Sequence, residues 1–164
     1  GNGYTICSGS DDNTIRIWDI ETTKQFNVFK GHKYSVNSVK YGLNTILSGS
    51  GDKSVRLWDI RSGQQIQVFN GHKNTVCSVE YSPFVIKNST GNSNVICSGS
   101  WDNTIRFWDI RSNKNELYVI KGSENDEIRC LKFIGLEKKD KTKNVTYDMN
   151  LCYGSRKGFI RIWG

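Results

Sequence analysis

No stretch of this 164-residue chain approaches the roughly 20 consecutive apolar residues that a membrane-spanning helix needs. Nor does any window carry the 3.6-residue apolar stripe of an amphipathic helix, so a helical framework is excluded. The five cysteines are Cys7, Cys77, Cys97, Cys130 and Cys152. An odd number with no Cys-x-x-Cys spacing argues against a disulfide framework and against a zinc site. Reduced, mostly buried thiols are expected instead, in a protein of the cytoplasm or nucleus, with no metal and no cofactor. Two glycosylation sequons, at Asn88 and Asn144, then read as chance matches. There is no initiator Met. The chain opens on GNGYTICSGS, already inside a repeated unit, and is expected to be part of a longer protein or a trimmed version of it.

What the chain does have is repetition. SGSDDNTIRIWD (8–19) returns as SGSGDKSVRLWD (48–59) and SGSWDNTIRFWD (98–109). GHKYSVNSVKY (31–41) returns as GHKNTVCSVEY (71–81), with a degraded copy, GSENDEIRCLKF, at 122–133. Successive Trp-Asp positions lie 40 and 50 residues apart, and Trp163 follows after 55 more. With 36% hydrophobic and 12% aromatic residues the composition is that of a globular protein.

Within each unit, short runs of Val, Ile, Phe, Tyr and Trp are divided by Gly, Asn, Asp and Ser. In the second unit this predicts strands near 34–41, 44–50, 54–60 and 64–70. Tight hairpins are predicted at Asp52-Lys53, Asp12-Asn13 and Asp102-Asn103. The strand count is three, four, four and three. Runs such as TIRIWDI are apolar on more than one face, as suits a sheet covered on both sides by other sheets. Small four-stranded sheets arranged radially form a β-propeller. The extra residues at 82–94 and 134–150 are expected as polar loops at one face of the disc.

Gly-His, then an Asp hairpin, then Trp-Asp at a period of about 40 resembles the WD40 repeat family. The resemblance covers essentially the whole chain as one repeat region. It implies an all-β fold of WD40 β-propeller blades, each a four-stranded antiparallel sheet. About four blades make an incomplete or fragmentary propeller: blade 1 partial at 1–30, blade 2 at 31–70, blade 3 at 71–121, and blade 4, partial and degenerate, at 122–164. Three full blades and a fragment fall short of a typical ring. Further repeats in the parent chain, or a second chain, are therefore expected to complete the propeller. A closed four-blade ring is the less favoured arrangement.

His32, Ser48 and Asp52, like His72, Ser98 and Asp102, invite a nucleophilic reading in which His deprotonates Ser and Asp orients His. The resemblance implies something else: with Trp58 and Trp108 these residues form a buried hydrogen-bonded tetrad in each blade. Recurrence decides between the two, since a catalytic set is needed once. This set is present twice in full and once in part, as Ser8, Asp12 and Trp18. Ser50 and Ser100 are the alternates if the serine register is two residues off. In the fourth unit Tyr153 takes the Ser position, Lys157 the Asp position and Ser123 the His position. No tetrad is expected there, and that blade is expected to be the loosest. GSGDKS (49–54) lacks the spacing of a phosphate-binding loop and reads as a hairpin turn.

Function is then expected where the repeats disagree. The family resemblance implies a top rim that binds proteins or peptides. Carried over position by position, the rim comprises Asp11, Ser35, Asn37, Gly51, Thr75, Cys77, Trp101, Glu127, Arg129 and Arg156. Trp101 stands out, either as an interface anchor or folded onto a neighbouring loop. Arg129 and Arg156 could meet an acidic or phosphorylated ligand. The net charge of +7 raises nucleic acid as a partner. Much of it, however, lies in Arg16, Arg56, Arg106 and Arg161, which repeat in strand three, and in a lysine-rich insert (Lys138, Lys139, Lys141, Lys143). No basic stripe interleaved with aromatics is visible. The leading expectation is a non-catalytic scaffold for protein partners; the alternative is a nucleic-acid-associated module.

Overall fold

The computed structural model describes residues 4–83, 94–112, 116–123, 125–139 and 145–163, with the backbone alone at 136–139 and 145–148. Every described regular element is a strand. The first sheet holds β1 (Thr5–Gly9), β2 (Thr14–Asp19) and β3 (Gln25–Lys30); the second holds β4 (Val36–Tyr41), β5 (Thr45–Ser50), β6 (Val55–Asp59) and β7 (Gln65–Phe69). The third holds β8 (Val76–Tyr81), β9 (Val95–Ser100), β10 (Thr104–Asp109) and β11 (Tyr118–Lys121). The fourth holds β12 (Ile128–Lys139), β13 (Val145–Ser155) and β14 (Ile160–Trp163). All neighbours are antiparallel and sequential, so each sheet is a meander.

The β5 to β6 turn shows how sequence produces the hairpin. Lys53 sits at φ 69°, and Asn13 (69°) and Asn103 (63°) hold the same left-handed place in their turns. Asn tolerates that region well because its short side chain bonds locally. The preceding Asp52 caps the turn by accepting from the Ser54 N–H at 3.0 Å. The Ser50 hydroxyl bonds the Tyr34 carbonyl and accepts from Asp52 N–H.

Consecutive sheets stack face to face. β1 packs on β4, β4 and β5 on β8, and β8 and β9 on β12. Three apolar clusters lie in the three junctions: Ile15, Ile17 and Phe29 against Ile46 and Trp58; Leu47, Val55 and Leu57 against Val76, Ile96 and Trp108; and Ile105 and Phe107 against Ile128, Leu131 and Leu151. The central glycine of each Ser-Gly-Ser lies where the next sheet's first strand crosses. A Cβ on Gly9, Gly49 or Gly99 would stand 2.6 Å from Val36 O, Val76 Cγ1 or Ile128 Cγ2. Serines stitch the same junctions: Ser38 Oγ accepts from Val79 N–H and Ser78 Oγ from Leu131 N–H, both at 3.1 Å.

No comparable packing joins the fourth sheet to the first among the described residues. The two outer faces are left bare, with Ile6 on one (54% exposed) and Ile160 on the other (80%). That bareness corrects one expectation. Cys97 is buried, but Cys7, Cys77 and Cys152 are half-buried and Cys130 is exposed. Cys130 and Cys152 lie on the fourth sheet's uncovered face, so a strand-like environment does not bury them.

A second correction concerns 134–150. In place of a polar loop, β12 and β13 continue their ladder from Ile134↔Asn150 out to Lys139↔Val145. Cross-strand bonding makes residues 134–139 and 145–150 a two-stranded ribbon, because their backbone groups are satisfied by each other. Residues 84–93 of the other insert, and the asparagines of both sequons, lie outside the described residues.

Candidate functional site

The Gly-His loop and the β5–β6 turn meet at one end of the second sheet. His32 Nδ1 lies 2.9 Å from Asp52 Oδ2 and its Nε2 2.8 Å from Ser48 Oγ, while Trp58 Nε1–H donates to Ser48 Oγ at 2.8 Å. The third sheet repeats this: His72 Nδ1 to Asp102 at 2.9 Å, Nε2 to Ser98 at 2.8 Å, and Trp108 Nε1–H to Ser98 at 2.9 Å. One neutral tautomer satisfies every group. Nδ1–H donates to the carboxylate, and the serine hydroxyl donates to Nε2 while accepting from the indole. Asp52 and Asp102 also accept from Lys33 N–H and Lys73 N–H, fastening loop to turn. Ser50 and Ser100 are not members; they cap the turns.

These histidines and serines are enclosed, with His32 and His72 7% exposed and Ser48 and Ser98 fully buried. A nucleophile needs substrate access, so the arrangement is a clamp. In the first sheet Trp18 Nε1–H donates to Ser8 at 3.0 Å, and Asp12 bonds Thr14 and Arg16 as Asp52 bonds Ser54 and Arg56, but it has no histidine partner among the described residues. Its carboxyl is held down to about 2, chiefly by the Thr14 hydroxyl.

The fourth sheet has no tetrad, and it contains a device that matching the repeats position by position missed. Asp126, 2% exposed, accepts from Lys157 N–H at 3.0 Å. The carboxylate therefore comes from the loop and the N–H from the turn, reversing the polarity of the other clamps. Burial pushes this carboxyl up, but the Lys157 N–H, the Ser155 hydroxyl and the charges of Lys157 and Arg161 bring it below its ordinary range. Its signal in the sequence was an exchange of sign: a cation at the turn's acidic position and an acid in the facing loop.

The clamps carry a pH dependence. Burial lowers the His32 pKa below 6.5, outweighing the nearby Asp52. Asp52 and Asp102 are also held low: burial opposes this, but hydrogen bonds from Ser54, Lys33 and His32, and from His72, Thr104 and Lys73, prevail. In each case the unfolded chain takes up its proton at higher pH than the folded one, so stability falls as pH falls. Stability should be complete above pH 6.5, decline below it as unfolded His32 protonates, and fall further below pH 3.8 as the aspartates do. Urea unfolding between pH 7.5 and 4.5 checks this, and His32→Gln should flatten the upper part of the profile.

The rim positions fall into two groups. In the second and third sheets several serve structure: Asn37 Nδ2 donates to Val76 O at 3.0 Å, Ser35 O accepts from Gly51 N–H at 2.9 Å, and Thr75 O accepts from Trp101 N–H at 3.0 Å. Asp11 is exposed on the first sheet. Between the third and fourth sheets five positions converge. The Arg129 guanidinium lies 4.5 Å from the Trp101 ring centroid. Glu127 joins Arg129 (2.7 Å) to Arg156 (3.0 Å). Cys77 completes the group: burial pushes its thiol up to about 11 despite the pull of Arg129. Trp101 Nε1 is covered and has no acceptor among the described residues.

The repeated sheets have counterparts in known proteins. The family model for "WD domain, G-beta repeat" matches residues 1–19, 23–59 and 63–109, more than half of the chain. The chain belongs to the WD40 repeat family. Its sheets are WD40 propeller blades, and such repeats generally serve protein–protein interaction and are generally non-catalytic. Among solved structures, the crystal structure of the computationally designed Ika4 protein is similar, with a TM-score of 0.73 at 25% identity over 99% of this chain and 86% of that one. Comparison with curated protein sequences gives no significant match.

Proposed function

We propose that this WD40 region is a non-catalytic scaffold whose rim receives protein or peptide partners at the junction of blades 3 and 4. The observation that carries the reading is the cluster at Trp101. The clamp makes no demand on this turn position, which is Asp11 in blade 1, Gly51 in blade 2 and Arg156 in blade 4. Trp101 is half-buried with the Arg129 guanidinium over its ring, a pairing of residue types enriched among interface anchors.

The bare faces around Ile6 and around Ile160 and Ile162 support a further part of the reading: additional repeats, or a second chain, cover them. Five free thiols fit a cytoplasmic or nuclear setting. The nucleic-acid alternative is weakened because the strand-three arginines already have partners within the chain. Arg16 pairs with Asp12, Arg56 with Asp52 and Arg106 with Glu116, and Arg161 lies 3.9 Å from Asp126.

Trp101→Ala should keep the unfolding midpoint within a few degrees and abolish partner capture in cross-linking pull-downs. Leu43→Ser, on the opposite end of the blades, should leave capture intact. Equal capture by both variants would overturn the rim assignment.

A further inference from the structure

Among the described residues, the blade 3–4 rim exposes more cation than acid. Glu127 is a single carboxylate shared by two guanidinia, at 2.7 Å from Arg129 and 3.0 Å from Arg156. The Arg156 side chain remains 65% exposed. Lys157 is exposed beside it, and Lys33, Lys53 and Lys73 are exposed at the same end of blades 2 and 3. The exposed acids at this end among the described residues, Asp11 and Asp12, lie on blade 1, away from the cluster. Asp126 is buried and already bonded to the turn.

Resting on the rim reading above, we propose that this junction binds an acidic peptide segment, and that Glu127 is its built-in competitor. Glu127 shows that the gap between the two guanidinia accepts a carboxylate, the planar anion that arginine binds with two parallel hydrogen bonds. A partner Glu or Asp approaching along the rim meets Arg156 first, the more exposed of the two. It then shares or displaces Glu127. Arg129 stays stacked on Trp101, which holds its guanidinium in place and offers the ring edge to an apolar neighbour of the acid. A carboxylate fits this pair well because the two guanidinia converge on a single carboxylate position, that of Glu127.

The experiment uses labelled oligoglutamate, oligoglutamine and oligolysine peptides, a phosphoserine peptide and single-stranded DNA, with binding read by fluorescence anisotropy. Oligoglutamate should bind best and weaken as salt rises. Arg156→Ala should reduce its affinity about tenfold, the loss of one charge-assisted pair. Glu127→Gln should raise it several-fold, the opposite of what a merely structural carboxylate would give, and circular dichroism verifies that the variant is folded. The proposal is overturned if oligoglutamate binds no better than oligoglutamine, or if Glu127→Gln weakens binding. Tighter binding of the phosphoserine peptide or of DNA through Arg156 would also overturn it. If Trp101→Ala still abolishes partner capture while the peptides show no charge preference, the rim reading stands and only the acidic partner fails.

Discussion

Asp102→Ala should lower the unfolding free energy by about 3–5 kcal/mol, because it leaves several enclosed donors unpaired at about 1–3 kcal/mol each. The Asp102 side chain is 7% exposed and serves several donors at once: His72 Nδ1–H at 2.9 Å, Lys73 N–H at 2.8 Å and Thr104 N–H at 3.0 Å. Alanine leaves all three without an acceptor where little water enters, and it frees the Gly-His loop from the turn. Asp102→Asn keeps an acceptor oxygen and should cost less, which separates hydrogen bonding from charge. Asp12 occupies the same sequence position but is 45% exposed and has no histidine to hold. Asp12→Ala should therefore move the urea midpoint little. Equal losses at Asp12 and Asp102 would show that the carboxylate acts within its own turn and not as a clamp.

Trp108→Ala should cost about 3–5 kcal/mol, as large aromatic truncations in cores do. Its indole is 1% exposed, lies 5.7 Å from the Phe69 ring and 6.2 Å from the His72 ring, and donates to Ser98. Removing it opens a cavity between blades 2 and 3 and takes a donor from Ser98. Trp18 has the same local sequence, IRIWD against IRFWD, and the same bond to a serine. It is half-buried, because its face of blade 1 is not covered by another sheet. Trp18→Ala should consequently cost clearly less than Trp108→Ala under the same conditions. Equal costs would mean that the bond to serine, and not burial between blades, carries the energy.

Much of this protein was legible in one dimension because its regularities are local. Alternating apolar residues, the left-handed turn position filled by Asn13, Lys53 and Asn103, and the recurrence of Ser, Asp and Trp at fixed offsets all act within one hairpin. Such features depend only on backbone period and on side chains a few residues apart. They placed the blade 2 strands within two residues of those observed, whereas the tetrad membership came from the resemblance to the WD40 family. The 134–150 insert was misread because its polar composition speaks for solvent exposure, while pairing between its two halves is a backbone matter that side-chain polarity does not report.

What passes between blades was decided only in three dimensions. Whether Trp18 or Trp108 is sealed, whether Cys130 is buried like Cys97, and which cation lies over Trp101 all depend on which sheet stacks on which. Arg129 and Trp101 are 28 positions apart in the chain, in different repeats, and no periodicity links them. Asp126 replaces the missing turn acid from the opposite side of the clamp, which position-by-position alignment cannot register. The repeat fixes the hairpin; stacking of one sheet on the next fixes what each hairpin's side chains meet, because contact across a junction depends on distance in space and not along the chain.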